Sequence, residues 1–411
     1  VTVLKPVAAG ILSIMLSACA THEMSTSDAD ALYQQRYALY SSGKMESYYD
    51  PMAPVAGAAN VSPLPVADAA QRTIDPAALA QARDYAARNN SSAFLVWRNG
   101  LIEDATYFND TTRETPVNAM SLAKPLGVIA IGRAIALGKI KSLDQSAADF
   151  ILQWKGTPKE KITLRFILQM RSGLEPQSFT AGIDTPMTRG YLHPFHDKYL
   201  AEEYRLVDEP GAKFGYSNAN GELVALIIAK ATGQPYERFV SQEILRPLGA
   251  LGGKIWLDRP GGTAHSGCCI YLPPETWLRL GILVLQKGEW NGKRLLPEGY
   301  VRDMITPSPT NPYAGMGIYV AGTYTNRRGF GGPNSPGGVL HGTPYLATDL
   351  TLFDGNADQV VYIVPSANLV ALRTGKTPPK TPEWDNAVIP NLLLRGIDWH
   401  GNPPAPQPVG K

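Results

Sequence analysis

The chain has 411 residues, 38 of them Lys or Arg against 36 Asp or Glu, for a net charge of +2 with charged residues at 18%. That balance gives no basic stripe of the kind a phosphate backbone requires, which argues against nucleic acid as a partner. Three cysteines, two of them adjacent, cannot build a disulfide framework, and no internal repeat is visible.

Residues 1–19 carry one basic residue, Lys5, then a mostly apolar stretch, then Leu16-Ser17-Ala18-Cys19. The stretch is too short to span a bilayer and fits a secretory signal, which leaves it out of the fold. Leu-Ser-Ala-Cys resembles the lipobox of bacterial lipoproteins, which implies cleavage before Cys19 and lipidation of its thiol and new amino group. Val1 is then a non-methionine start codon translated literally, and Ala20 after the cysteine implies sorting to the outer membrane. The expectation is a periplasmic lipoprotein whose acyl chains anchor a soluble domain.

Residues 20–75 are rich in Ala, Pro, Ser and Met and read as a tether or surface strap. Tyr33, Tyr37, Tyr40, Tyr48 and Tyr49 predict that part of it docks. Residues 76–400 are long enough to bury a large core as one two-lobed unit, with 401–411 as a tail.

Within that body Asp75-Pro76 starts a helix through Arg88. Residues 93–97, the turn Asn99-Gly100 and residues 101–108 form a hairpin, Asn-Gly suiting a type I′ turn. Helical runs follow at 121–137, 164–170 and 218–232, stopped by Gly138, Gly173 and Gly233, with another at 275–286. Residues 360–364 and 369–373 read as two strands around Pro365-Ser366-Ala367-Asn368. Strands at both ends with helices between them imply an α+β fold: an antiparallel sheet closed by the two ends of the domain, flanking helices and a mainly helical lobe.

Ser121 and Lys124 lie three apart, so on a helix they share one face, and the first turn's free amides favour negative charge on the serine oxygen. Ser41-Ser42-Gly43-Lys44 matches the same pattern, but it lies in the tether with no apolar run behind it. Tyr216-Ser217-Asn218 follows Glu209-Pro210-Gly211 and enters a long helix, a setting that holds a phenol rigidly. Tyr107-Phe108-Asn109 and Tyr324-Thr325-Asn326 match too, on a hairpin and in a loop. A free phenol ionises near pH 10, so as a base Tyr216 needs an ammonium beside it. Asn218 is placed to orient Lys124 or a substrate carbonyl.

Ser-x-x-Lys with Tyr-x-Asn resembles the serine β-lactamase and penicillin-binding-protein superfamily, especially its class C and esterase or 6-aminohexanoate-dimer-hydrolase branch. Residues 162–165, 170–174, 210–218 and 244–249 support the resemblance, which runs over about 93–374. It implies a catalytic Ser121 that is acylated, Lys124 and Tyr216 sharing the proton work, and no metal or organic cofactor. The third family motif, Lys-Thr-Gly, falls on Phe353-Asp354-Gly355, where Phe353 offers no cation for a substrate carboxylate. Arg373-Thr374-Gly375 imitates it at the end of the next strand and reads as ordinary sheet. The amides of Ser121 and Asn356, with Gly355 allowing close approach, are the expected oxyanion donors.

The expected reaction is hydrolysis of a small-molecule ester or amide through an acyl-serine. The alternatives are β-lactam or D-Ala-D-Ala carboxypeptidase chemistry, or a non-catalytic envelope-binding lipoprotein on the same fold. His193-Pro194-Phe195-His196 reads as a loop rather than a metal site, with Tyr191 nearby lining the cleft. His265 and His400 read as surface residues, and the glycine-rich residues 329–341 as a mobile cover with His341 near the entrance.

Overall fold

The computed structural model describes residues 24–397 apart from 45, 177–181, 334 and 336. Cys19 with its signal, the 401–411 tail and His400 lie outside the described residues. Six antiparallel strands form the main sheet: β1 (Ser91–Arg98), β2 (Leu101–Tyr107), β3 (Tyr319–Val320), β4 (Thr351–Gly355), β5 (Gln359–Val364) and β6 (Leu369–Gly375). Their order is β2-β1-β6-β5-β4-β3, so strands from the two ends of the domain meet at β1 and β6, Leu372 facing Leu95. Asn99 and Gly100, at φ 50° and 96°, turn the first hairpin as a type I′ turn requires.

Alternation along the strands sorts the core into two layers. Leu95, Val361, Ile363, Val370 and Leu372 face one side, into the larger core, and Phe94, Val96, Val360, Tyr362 and Ala371 face the other. That second layer is covered by α2 (Pro76–Arg88) and α7 (Val388–Arg395). Asp75 caps α2, accepting from the amides of Ala77 and Ala78 at 2.8 and 3.0 Å, as Asp-Pro at a helix start predicts.

The larger core lies under α3 (Ala123–Ala136), α5 (Asn218–Thr232) and α6 (Pro274–Leu285). Gly281 lets α6 lie flat on the sheet: a Cβ there would sit 2.7 Å from Val361 and 2.8 Å from Val370. α3 is apolar almost all round and buried almost all round, which makes it a rigid central post. A further helix, α4 (His196–Glu202), belongs to the helical lobe.

The strap docks through its tyrosines as expected, but the tether reading missed its helix. Residues 26–41 form a helix, α1 (Thr26–Ser41), hidden from the sequence because its apolar residues do not gather on one face. Tyr33, Tyr48 and Tyr49 are buried against Trp256, and Met52–Val55 pairs with Gly253–Trp256 in a small second sheet. The glycine-rich cover is in part a hairpin, Arg327–Gly329 against Gly338–Leu340. His341 is packed inside it, its Nε2 2.9 Å from the Tyr345 hydroxyl, rather than standing at an entrance. Cys268 and Cys269 are joined by a disulfide. The left-handed backbone at Cys269, φ 61°, is what lets neighbouring side chains reach each other.

Candidate active site

Ser121 occupies a one-turn 3-10 segment, Met120–Leu122, running straight into α3. Met120 is left-handed at φ 50°, an unfavourable state for a non-glycine residue, and Asn118 Oδ1 accepts its amide at 3.2 Å. That turn aims Ser121 off the end of the buried helix. One turn on, Lys124 sends Nζ back to Ser121 Oγ at 3.1 Å. The same Nζ donates to Asn218 Oδ1 at 2.9 Å and to the Gly267 carbonyl at 2.8 Å, so three oxygens from three elements fix a buried amine. Tyr216 ends the loop before α5, and its hydroxyl is 3.0 Å from Ser121 Oγ. Its ring lies 5.1 Å from Lys124 Nζ, close enough for a cation–π contact.

Gly355 closes β4 against this turn. A Cβ there would stand 3.0 Å from the Leu122 amide nitrogen and 3.1 Å from that of Ser121, so the strand end reaches the serine backbone because position 355 has no side chain. Asn356 opens the turn Asn356–Asp358, whose Ala357 and Asp358 are left-handed at φ 63° and 55°. Buried Arg373 pins that turn, donating to the carbonyls of Ala357 at 2.5 Å and Asp358 at 3.0 Å. The structure thus brings Ser121, Lys124, Tyr216, Asn218 and Gly355 together, with Asn356 next along the chain.

A family model for Beta-lactamase matches residues 77–372. The chain belongs to the beta-lactamase family. Protein flp of Staphylococcus aureus (strain NCTC 8325 / PS 47) is 26% identical over 123 residues, 30% of this chain and 24% of its own. The chain therefore spans about a quarter of the length of the curated relatives it matches. Among solved structures, a Bacillus anthracis protein provisionally named a 6-aminohexanoate-dimer hydrolase superposes with a TM-score of 0.65 at 19% identity, over 87% of this chain and 92% of that one. A family VIII carboxylesterase superposes with a TM-score of 0.57 at 13% identity, over 79% of this chain and 99% of that one. At these identities the likeness is one of fold.

Within this beta-lactamase fold, the strand beside the serine makes contacts that the triplet Phe353-Asp354-Gly355 did not reveal in the sequence. Phe353 is fully buried in the larger core. Asp354 lines the pocket with Ser121, Lys124, Met170, Phe214 and Tyr319. Its carboxylate is paired with the buried Arg328 guanidinium, which lies 3.7 Å over the Tyr319 ring. Burial, only partly offset by Arg328, holds the Asp354 carboxyl above the usual carboxylate range. The sole sequence signal was an arginine in a glycine-rich stretch, and nothing local linked it to residue 354.

Two expectations fail in the helical lobe. His196 opens a helix rather than lying in a loop, and His265 is no surface residue: both are 0% exposed, and burial pushes the first down to about 3 and the second well below its ordinary range. Tyr191 does not line the Ser121 pocket. It packs edge-on to Trp256 at 5.6 Å, with its hydroxyl 2.8 Å from that of Tyr49. Tyr191 was misread because Tyr40, Tyr48 and Tyr49, which pack on it, lie in a segment taken for a tether.

Proposed function

We propose that the protein is a serine hydrolase that cleaves a neutral ester or amide through an acyl-Ser121 intermediate. The observation that carries this reading is one oxygen, Ser121 Oγ, within hydrogen-bonding reach of both Lys124 Nζ at 3.1 Å and Tyr216 Oη at 3.0 Å. As Oγ attacks the substrate carbonyl, its proton passes to the Lys124–Tyr216 pair, and the carbonyl oxygen takes the negative charge. The amides of Ser121 and Asn356 are the donors proposed for that oxyanion, brought together by Gly355. Collapse expels the alcohol or amine, protonated by the same pair. Water then attacks the acyl-serine, gives its proton to Lys124–Tyr216 and releases the acid.

The neutral-substrate reading rests on the other wall. Met170, Phe214, Ile318 and Tyr319 line it, and the nearby Arg328 is already engaged by Asp354. An apolar surface with its arginine neutralised suits an acyl chain better than a free carboxylate. We further propose that a lipid on Cys19 tethers the enzyme to the periplasmic face of the outer membrane. No helix among the described residues is long and apolar enough to cross a membrane.

Intact mass after incubation with a fluorophosphonate tests the chemistry: one adduct per chain is expected, absent in Ser121→Ala. Labelling that survives Ser121→Ala would remove Ser121 from the mechanism. A p-nitrophenyl ester panel against a chromogenic cephalosporin tests the substrate, and faster turnover of the lactam would overturn the neutral-ester reading. Incorporation of a clickable palmitate that persists in Cys19→Ala would refute the anchor.

A further inference from the structure

Behind the catalytic lysine lies a buried cluster for which the proposed reaction has no use. His196 opens α4, Glu222 sits one turn beyond Asn218 on α5, and His265 lies in the segment between strands Gly253–Trp256 and Ile270–Leu272. All three are buried, at 0%, 2% and 0% exposure. One ligand atom from each falls within 4.8 Å of the other two. Glu222 Oε2 is 3.5 Å from His265 Nδ1, and the two imidazole centroids are 4.1 Å apart.

The cluster leaves its polar atoms unsatisfied. Both ring nitrogens of His196, both of His265, and Glu222 Oε2 are buried without a hydrogen-bond partner. Such groups destabilise the fold when left bare, and an unpaired carboxylate does so most. Mutual hydrogen bonding does not relieve them, since 3.5 Å is beyond the usual N–H···O range. The other face of the carboxylate is already spoken for: it accepts the Gly267 amide, and Oε1 lies 3.6 Å from the Cys268 sulfur. Oε2 alone points at the two imidazoles.

We infer that His196, Glu222 and His265 bind a divalent first-row cation, zinc by ligand chemistry. Two imidazole nitrogens and one carboxylate oxygen are a zinc donor set, with bonds of about 2.0–2.2 Å that set neighbouring donors roughly 3.3–3.5 Å apart. The Oε2–Nδ1 separation of 3.5 Å already fits, and the His196 donor lies within 4.8 Å of both partners, so binding draws that ring inward. A water or other small donor completes the shell. The support around the site is rigid: Trp256 stacks on His265 at 3.8 Å and 12°, and Tyr49 stacks on Trp256 at 4.8 Å. A small cavity lined by Gly190, Tyr191, Leu200, Asn218 and Glu222 reaches the carboxylate.

The cation would join α4, α5 and the 264–269 segment, three pieces far apart in the chain. Gly267 links it to the reaction centre, giving its amide to Glu222 and its carbonyl to Lys124 Nζ at 2.8 Å. The site is therefore a clamp on the scaffold that holds the lysine, not a participant in bond breaking.

The test uses the full chain purified without metal, exposed to Zn2+, desalted and assayed by plasma mass spectrometry. Wild type, Ser121→Ala and the double variant Cys268→Ser/Cys269→Ser should each retain about one equivalent, while Glu222→Gln and His265→Gln retain less than about a tenth. Chelation should lower the Tm of wild type and leave that of His265→Gln unchanged. Should the histidine and glutamate variants fail to fold, Co2+ added to wild type decides, the expected result being visible bands of a tetrahedral nitrogen–oxygen site. A wild type that takes up no metal, retention by folded His265→Gln, or loss that follows the cysteines would each overturn the inference.

Discussion

The two walls flanking Ser121 are held in different ways. On the helical wall, Lys124 Nζ meets oxygens of Ser121, Asn218 and Gly267 at 3.1, 2.9 and 2.8 Å, and each contact is set by a helix start or a short turn. On the strand wall, β4 presents a buried phenyl at 353 and a carboxylate at 354 whose partner comes from a separate hairpin. Proton transfer tolerates no drift between donor and acceptor, so the first wall is constrained by the reaction itself. The second, in the proposed reaction, only contacts substrate, and there a neutralised pair stands beside a phenyl where a cation is expected.

Removing the amine is the most severe way to break the helical wall. Lys124→Met keeps most of the buried volume but leaves Ser121, Asn218 and Gly267 without their shared donor. Ester turnover should fall by about 10²–10⁴-fold in kcat, with KM little changed. Steady-state kinetics checks it, and a kcat within about threefold of wild type would remove Lys124 from the proton path.

The strand wall should answer in stability. Asp354→Asn leaves the buried Arg328 charge uncompensated, a loss of about 3–5 kcal/mol for breaking a buried pair from one side. The double variant Asp354→Leu/Arg328→Met removes both charges and should recover most of that loss. Urea unfolding of Asp354→Leu, Arg328→Met and the double variant measures the coupling. Additive losses would mean that the two charges do not see each other.

This difference also explains what the sequence revealed. Ser121–Lys124 is a three-residue spacing and Tyr216–Asn218 a two-residue spacing, so both show in a local pattern, as do α5 ending at Gly233 and the short apolar runs of β5 and β6. Arg328–Asp354 and His196–Glu222–His265 consist of ordinary residues whose meaning arises only when distant segments fold together. α1 escaped notice because it packs through scattered tyrosines and a buried Arg36, which donates to the Leu192 carbonyl at 3.1 Å. Composition marked residues 20–75 as a linker, and tertiary contacts overrode it.

Gly355 is the seam between the walls. With φ of −134° its backbone suits any residue, so Gly355→Ala tests space alone. The added Cβ would meet the Ser121 and Leu122 nitrogens at 3.1 and 3.0 Å, tighter than carbon packing allows. Shifting the strand end by a few tenths of an ångström should cost about 1 kcal/mol of stability and roughly tenfold in kcat/KM. Loss of stability with unchanged kinetics would show that the strand does not set the oxyanion donors.

The smallest effect tunes the same strand end through charge. Burial, reinforced by the charge of Asp354, pushes the Asp358 carboxyl up to about 6. Between the unfolded value near 4 and about 6, the folded protein binds more protons than the unfolded chain, so stability falls as pH rises through that window and levels off above it. Asp358→Asn removes the ionisation while tolerating φ of 55°, as asparagine does. It should gain about 1 kcal/mol near pH 8 and nothing below about pH 4, less than the full shift implies because the Arg373 charge loses a counter-ion. Thermal melts of both proteins across that range measure it. A gain independent of pH would assign the effect to the asparagine side chain rather than to the buried charge.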